Sequence, residues 1–190
     1  MWRACRRLDE VLRGRTLTRG ELRVPALAAT DLAGTGVLEV VSRGKHQLFR
    51  LDGGFTLHSH FRMEGTWRIY RHGRRGSDGP EWQIRAVLAT ADHLVVGYRL
   101  PVLELLPTVE EERVVGHLGP DLLGADWDLD EAVRRIGRRP ETSIGEALLD
   151  QRNLAGLGTF YRAEVLFLQG VHPRTPVREV GNLPRLVQRA

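Results

Sequence analysis

Lysine is almost missing from this chain: of its 28 Lys and Arg residues only Lys45 is lysine. Arginine keeps its charge in practice, so chemistry that needs a neutral amine is confined to Lys45 and the chain start. Two readings of Lys45 are open at this point, a survivor of arginine-biased coding or an amine kept for chemistry. Cysteine is represented by Cys5 alone, which excludes an internal disulfide framework and a thiolate zinc site, and implies a cytosolic setting. No stretch reaches the ~20 apolar residues of a membrane span. The opening Met1-Trp2-Arg3-Ala4-Cys5-Arg6-Arg7 has no apolar signal-peptide core, so no membrane association or targeting is expected.

What is present is a globular composition. With 190 residues, 42% hydrophobic and 27% charged, the chain is long enough for two small domains with real cores. A net charge of +4 and a pI near 9.9, carried by arginine, suit phosphate recognition and point to nucleic acid. The competing account is a basic protein of an arginine-rich proteome without such a partner.

Trp2, Cys5, Leu8 and Leu12 recur at near-helical spacing and Gly14 is placed to end the run, which predicts an opening helix. From Arg15 to about Leu106 the pattern turns to short strands over 22–24, 37–42, 47–51, 55–60, 67–70, 82–89 and 94–98. Turn chemistry separates them, including Asp52-Gly53-Gly54 and a glycine-rich loop over 73–80. After Pro107 the run Glu110-Glu111-Glu112 and Gly119-Pro120 mark a change, and helical spacing returns from Trp127 to Ile136 until Pro140 interrupts it. Ser143-Ile144-Gly145-Glu146 has the capping-box pattern of another helix start. Asn182-Leu183-Pro184 opens a last one, which Ala190 reaches before an ordinary ~11 residues are complete. Both ends are therefore expected to be cut short. The predicted fold class is α+β: a helix and an N-terminal β-sandwich over 1–117, then an all-α domain over 118–190.

The stretch Gln151-Arg152-Asn153-Leu154-Ala155-Gly156-Leu157-Gly158-Thr159 joins two predicted helices through Gly-x-Gly. Glycines let a phosphate approach backbone N–H groups at a helix start, and Thr159 is a residue type that can cap them. A plain packing turn between helices has the same short motif. The longer string is more specific. Gly158-Thr159-Phe160-Tyr161-Arg162-Ala163-Glu164-Val165-Leu166-Phe167, followed by Gly170-Val171-His172-Pro173, resembles the helix-two-turn-helix element of the formamidopyrimidine-DNA glycosylase and endonuclease VIII family. Ser42-Arg43-Gly44-Lys45-His46-Gln47-Leu48, Asp52-Gly53-Gly54 and Leu57-His58-Ser59-His60-Phe61-Arg62-Met63-Glu64-Gly65-Thr66-Trp67 resemble consecutive pieces of that family's N-terminal domain, closest to the endonuclease VIII branch.

The resemblance implies a base-excision-repair DNA glycosylase with AP (apurinic/apyrimidinic) lyase activity on oxidised bases. Such an enzyme flips the damaged base out of double-stranded DNA, and a side chain must fill the gap. By resemblance, Lys45 contacts the phosphate beside the lesion and handles protons. Met63 is the candidate wedge, against the alternative of a core residue at a strand end. His60, Arg62, Arg152, Gly156, Gly158, Thr159, Tyr161 and Arg162 are candidate DNA contacts, and Tyr161 and Glu164 match family positions that also suit packing or capping. His58 and His60 share a strand face and suggest a metal pair, but no third ligand is in view, so no metal is expected.

Three departures accompany the match. The family's nucleophile is an N-terminal proline followed by glutamate, whereas this sequence begins Met1-Trp2-Arg3. The expectation is a true start upstream or an inactive product. The C-terminal zinc finger of many members cannot form with Cys5 alone, so no cofactor is expected in this chain. Thr159 replaces the usual asparagine and removes an amide donor. The expected molecule is a monomer in the cytoplasm, associated with the nucleoid. A catalytically inactive DNA-binding fragment is the alternative, and an RNA-binding relative would leave the β-domain motifs unexplained.

Overall fold

A computed structural model of the chain describes residues 1–71 and 79–190, so most of the glycine-rich loop expected over 73–80 lies outside the described residues. The chain divides into Met1–Glu112 and Arg113–Ala190. The division comes at the start of a short helix, Glu112–Val115, rather than at the 117/118 boundary suggested by the composition change.

The first unit opens with helix α1 (Trp2–Leu12), whose Cys5, Leu8 and Leu12 are buried. Among the described residues eight strands follow: β1 (Arg19–Leu22), β2 (Val37–Arg43), β3 (His46–Leu51), β4 (Phe55–His60), β5 (Thr66–Arg71), β6 (Ile84–Ala89), β7 (His93–Tyr98) and β8 (Val102–Pro107). They form two four-stranded antiparallel sheets, ordered β1-β6-β7-β5 and β2-β3-β4-β8. Leu22, Trp67, Leu88 and Val95 of the first sheet share one core with Val40, Phe49, Leu51 and Leu57 of the second and with the α1 stripe. Each such fully buried side chain contributes about 1.5–3 kcal/mol relative to exposure. The Asp9 carboxylate also accepts from the Val40 amide at 2.7 Å, which pins α1 to β2.

The largest differences from the sequence reading fall at three strands. β1 lies at Arg19–Leu22 instead of 22–24, since these four residues pair with Ala89, Leu88, Val87 and Ala86 of β6, and Leu32 approaches Gly20 so closely that a Cβ there would come within 2.4 Å of it. Trp82 and Gln83 belong to a 3-10 turn, and β6 starts at Ile84. β8 was not separated from its surroundings, since Val-Leu-Glu-Leu-Leu between two prolines has no clean alternation; its register against β4 shows what it is.

Cys5 is only 2% exposed, and burial pushes its thiol up to about 12. The thiolate is the reactive form. The folded protein is therefore expected to resist a thiol-specific reagent at pH 8 and to react with one equivalent once denatured. Rapid native labelling, followed by mass spectrometry, would contradict the packing of α1.

The short helix α2 (Glu112–Val115) begins at the division, and the second unit continues with α3 (Leu129–Gly137), α4 (Ile144–Leu149), α5 (Thr159–Leu168) and α6 (Leu183–Gln188). Side-chain oxygens of Asp128, Ser143 and Asn182 accept from Glu131, Glu146 and Arg185 amides, capping α3, α4 and α6. Caps of this kind contribute about 1 kcal/mol each. Ala132, Ile136, Ile144, Leu148, Leu154, Leu157, Val165, Leu166, Leu186 and Val187 form its core. Among the described residues no helix is long and apolar enough to cross a membrane.

Candidate nucleic-acid interface

In the first unit, one end of the β2-β3-β4 sheet gathers the residues singled out there. Arg43 pairs with His46 across a two-residue turn, Gly44-Lys45, and Gly44 takes φ 56. Glycine meets that positive φ without steric cost, so the hairpin is tight and Lys45 has a fixed place at its tip. Burial pushes the Lys45 ammonium below the ordinary lysine range. Across β3 and β4 His46 pairs with His60, which brings His60 beside the Lys45 turn.

His60 is held in one tautomer. Its Nδ1 accepts from the Arg62 backbone N–H at 2.9 Å, so a neutral ring carries its proton on Nε2. Burial, then the charges of His58, Arg62 and Lys45, push its pKa down. His60 is thus a neutral donor, suited to a phosphate oxygen. The loop after it is equally constrained. Arg62 adopts φ 46, the Gly65 amide donates to the Phe61 carbonyl at 2.9 Å, and a Cβ on Gly65 would meet Phe61 at 2.8 Å. Met63 rides on this loop and is 96% exposed, which excludes the core alternative.

Behind this edge runs a polar chain that sequence reasoning did not assign. Trp67 Nε1 donates to Ser59 Oγ at 3.1 Å, Ser59 donates to Gln47 Oε1, and Gln47 Nε2 meets Met1 Sδ. The start of α1 is thereby placed against the first residues of β3. His58 was read as half of a possible metal pair. It instead bonds to Glu104 and His46, and no group of three or more metal-type side chains occurs among the described residues.

In the second unit the loop from Asp150 to Gly158 joins α4 to α5. Gln151 clamps it: Nε2 donates to the Leu149 and Leu157 carbonyls, and Oε1 accepts from the Gly156 amide at 3.0 Å. Asn153 donates to the Ala147 carbonyl at 2.9 Å. Both amides stood in the motif, but only the fold shows them as clamps. Gly156 takes φ 101, which a side chain would oppose. Gly158, not Thr159, is the N-cap of α5, and no side chain caps it. The expectation that the Thr159 hydroxyl caps these amides is corrected: Thr159 is already the first helical residue. A helix start whose amides no side chain caps, with the positive end of the helix dipole behind it, can accept an anion.

The remaining candidates differ in readiness. Tyr161 is 64% exposed and meets Phe160 edge to face. Glu164 is exposed on the same helix. Arg162 has a buried Nε without a hydrogen-bond partner among the described residues. Arg152 grips Asp150 with Nε and Nη2, both at 2.8 Å, so a phosphate must exchange with that carboxylate.

Known proteins are similar to this chain in sequence and in fold. Residues 2–99 match the formamidopyrimidine-DNA glycosylase N-terminal domain and residues 118–184 match the formamidopyrimidine-DNA glycosylase H2TH domain. The chain is 56% identical to a probable endonuclease 8 2 of Streptomyces coelicolor over 180 residues, covering 95% of this chain and 65% of that protein. It is 44% identical over 183 residues to a DNA-(apurinic or apyrimidinic site) lyase of Mycolicibacterium smegmatis, covering 96% of this chain and 70% of the relative. It thus spans about two thirds of the length of these relatives. Among solved structures, the formamidopyrimidine-DNA glycosylase of Lactococcus lactis, in complex with an N7-benzyl-Fapy-dG DNA, superposes with TM-score 0.79 at 25% identity, covering 97% of this chain and 72% of that one. The chain belongs to the formamidopyrimidine-DNA glycosylase family, on its endonuclease VIII branch.

Proposed function

We propose that the chain is the recognition and strand-cleaving part of a monomeric base-excision-repair DNA glycosylase with AP lyase activity, acting on oxidised bases in duplex DNA. The observation that carries this reading is the collection of Lys45, His60, Arg62 and Met63 at one end of the β2-β3-β4 sheet. Met63, exposed on a constrained loop, fills the space of the flipped base. Pre-set loop geometry lowers the ordering cost of that insertion. His60 supplies a neutral N–H, Lys45 a partly desolvated amine, and Arg62 a permanent charge to the backbone flanking the lesion. The uncapped start of α5, with Gly156, Gly158 and Thr159, grips a further phosphate.

The chemistry joins an N-terminal amine to C1′ of the damaged nucleotide as a Schiff base while the base departs. The family's proline for that step is not in this sequence, which begins Met1-Trp2-Arg3. Loss of a C2′ proton then opens the C3′–O bond and releases the phosphate. Lys45 is the side-chain amine beside this reaction, assisting proton transfer. The test is borohydride trapping on duplexes carrying an abasic site or an oxidised pyrimidine. A covalent adduct, with damaged duplex retained over intact duplex, is expected. Selective binding without an adduct would instead make the chain a DNA-binding module, and equal binding of damaged and intact duplex would overturn the lesion-recognition reading.

A further inference from the structure

The charges around the loop between α4 and α5 are unevenly matched. Arg134 and Arg135 of α3 share the Glu131 carboxylate. Arg138 and Arg139, which follow α3, are exposed and make no ion pair among the described residues. Asp150, at the end of α4, is held by one arginine only. Its Oδ1 accepts from the Arg152 backbone N–H at 3.0 Å and from Arg152 Nε at 2.8 Å, and its Oδ2 accepts from Nη2 at 2.8 Å. The guanidinium fork thus covers both carboxylate oxygens, the geometry in which it would otherwise receive a phosphate.

Arg139 lies within electrostatic reach of the same carboxylate. The Arg152 guanidinium holds the Asp150 carboxyl below its ordinary range against the opposing effect of burial, and Arg139 adds to this more weakly. The placement follows from α3, since Arg135, one turn before Arg139, donates Nη1 to the Arg152 carbonyl at 2.9 Å. A carboxylate two residues away competes for Arg152 at an effective concentration of roughly millimolar or above. A dilute free anion does not displace it, whereas a duplex already held by neighbouring contacts competes on the same terms. Release leaves Asp150 ionised beside DNA, a like-charge contact that a second cation must relieve.

We propose that Asp150 is a built-in competitor of the duplex: it holds Arg152 in the place of a phosphate, and on binding it passes to Arg139 while Arg152 turns to the phosphodiester. The inference rests on the reading of Arg152 as a DNA contact. Asp150 and Arg139 thereby set how much charge a ligand must bring, and a duplex is held more weakly than the arginines alone would hold it. The opposite role, a carboxylate that orients Arg152 toward phosphate, predicts the opposite sign when the charge is removed.

The test measures anisotropy of labelled intact and abasic-analogue duplexes at constant ionic strength. Wild type is compared with Asp150→Asn, Arg152→Ala, Arg139→Gln and the double variants that combine Asp150→Asn with each arginine change. Asparagine keeps Oδ1 as the acceptor for the Arg152 amide, so the turn is retained. Asp150→Asn is expected to tighten both duplexes by roughly two- to fivefold, the scale of one exposed ion pair. Combined with Arg152→Ala the same change should have no effect, because no guanidinium remains to be released. Arg139→Gln should weaken binding by a similar factor where Asp150 is present and have no effect where asparagine replaces it. An equal gain from Asp150→Asn with and without Arg152 shows a carboxylate that merely repels DNA and overturns the proposal, as does unchanged or looser binding by Asp150→Asn alone. An equal cost of Arg139→Gln in both backgrounds makes Arg139 an ordinary phosphate contact and overturns its part in the exchange. If Arg152→Ala binds both duplexes as the wild type does, the contact reading fails and the proposal with it.

Discussion

Lys45→Ala is expected to slow strand cleavage at an abasic site by roughly two orders of magnitude, the usual scale of a lost proton-transfer group. The reasoning starts with the hairpin. Gly44 at φ 56 makes the turn tight, the Arg43–His46 pair closes it, and burial pushes the Lys45 amine toward its neutral form. An amine whose pKa burial lowers gives up a proton more readily than a fully solvated one does. Lys45→Arg separates this role from simple charge. Arginine restores attraction to phosphate but does not deprotonate, so it should recover duplex affinity to within a few-fold and leave cleavage slow. The measurement is single-turnover cleavage of a labelled duplex beside its equilibrium affinity. Full cleavage by Lys45→Arg would reduce Lys45 to a phosphate contact.

Gly119→Ala is expected to destabilise the second unit by about 2–3 kcal/mol through overpacking. Its melting temperature should fall on the order of 10 °C. A Cβ at Gly119 would lie 2.5 Å from the Asn153 carbonyl oxygen and 2.7 Å from that of Arg152, both backbone atoms that cannot swing aside. The Gly119 amide also donates to the Gln151 carbonyl at 2.8 Å, so the displaced segment is the one that holds the Gly156–Gly158 turn. Loss of duplex affinity should accompany the loss of stability, although Gly119 is not itself a proposed contact. Gly137→Ala is the control: it has open space at Cβ and should be neutral or stabilising by up to about 1 kcal/mol. If Gly119→Ala melts with the wild type, this account of the turn is wrong.

Much of the architecture was readable because it is local. The Cys5-Leu8-Leu12 stripe, the Ser143 and Asn182 caps and the Asp52-Gly53-Gly54 turn each depend on a few neighbouring residues, and each appears where the spacing put it. β8 is harder to read: two prolines flank an apolar run that Glu104 interrupts without a clean alternation, and only pairing with β4 defines it. Thr159 shows the limit at single-residue scale. A hydroxyl beside a glycine reads as a cap, yet the cap depends on which residue first adopts helical angles, and here Gly158 precedes it.

By itself the sequence determined the order of helix, strands and helices, the family resemblance, and Lys45 as a rare amine between strands. Those follow from periodicity, composition and motifs, which are written along the chain. Only the tertiary structure decided that Met63 is exposed, that Arg152 is engaged by Asp150, and that His46, His58 and Glu104 form one hydrogen-bonded row. That row joins residues on three strands, up to 58 positions apart by number from His46 to Glu104, and its existence depends on sheet register and ring orientation. A single-residue slip would turn His58 to the opposite face, so no local pattern contains it.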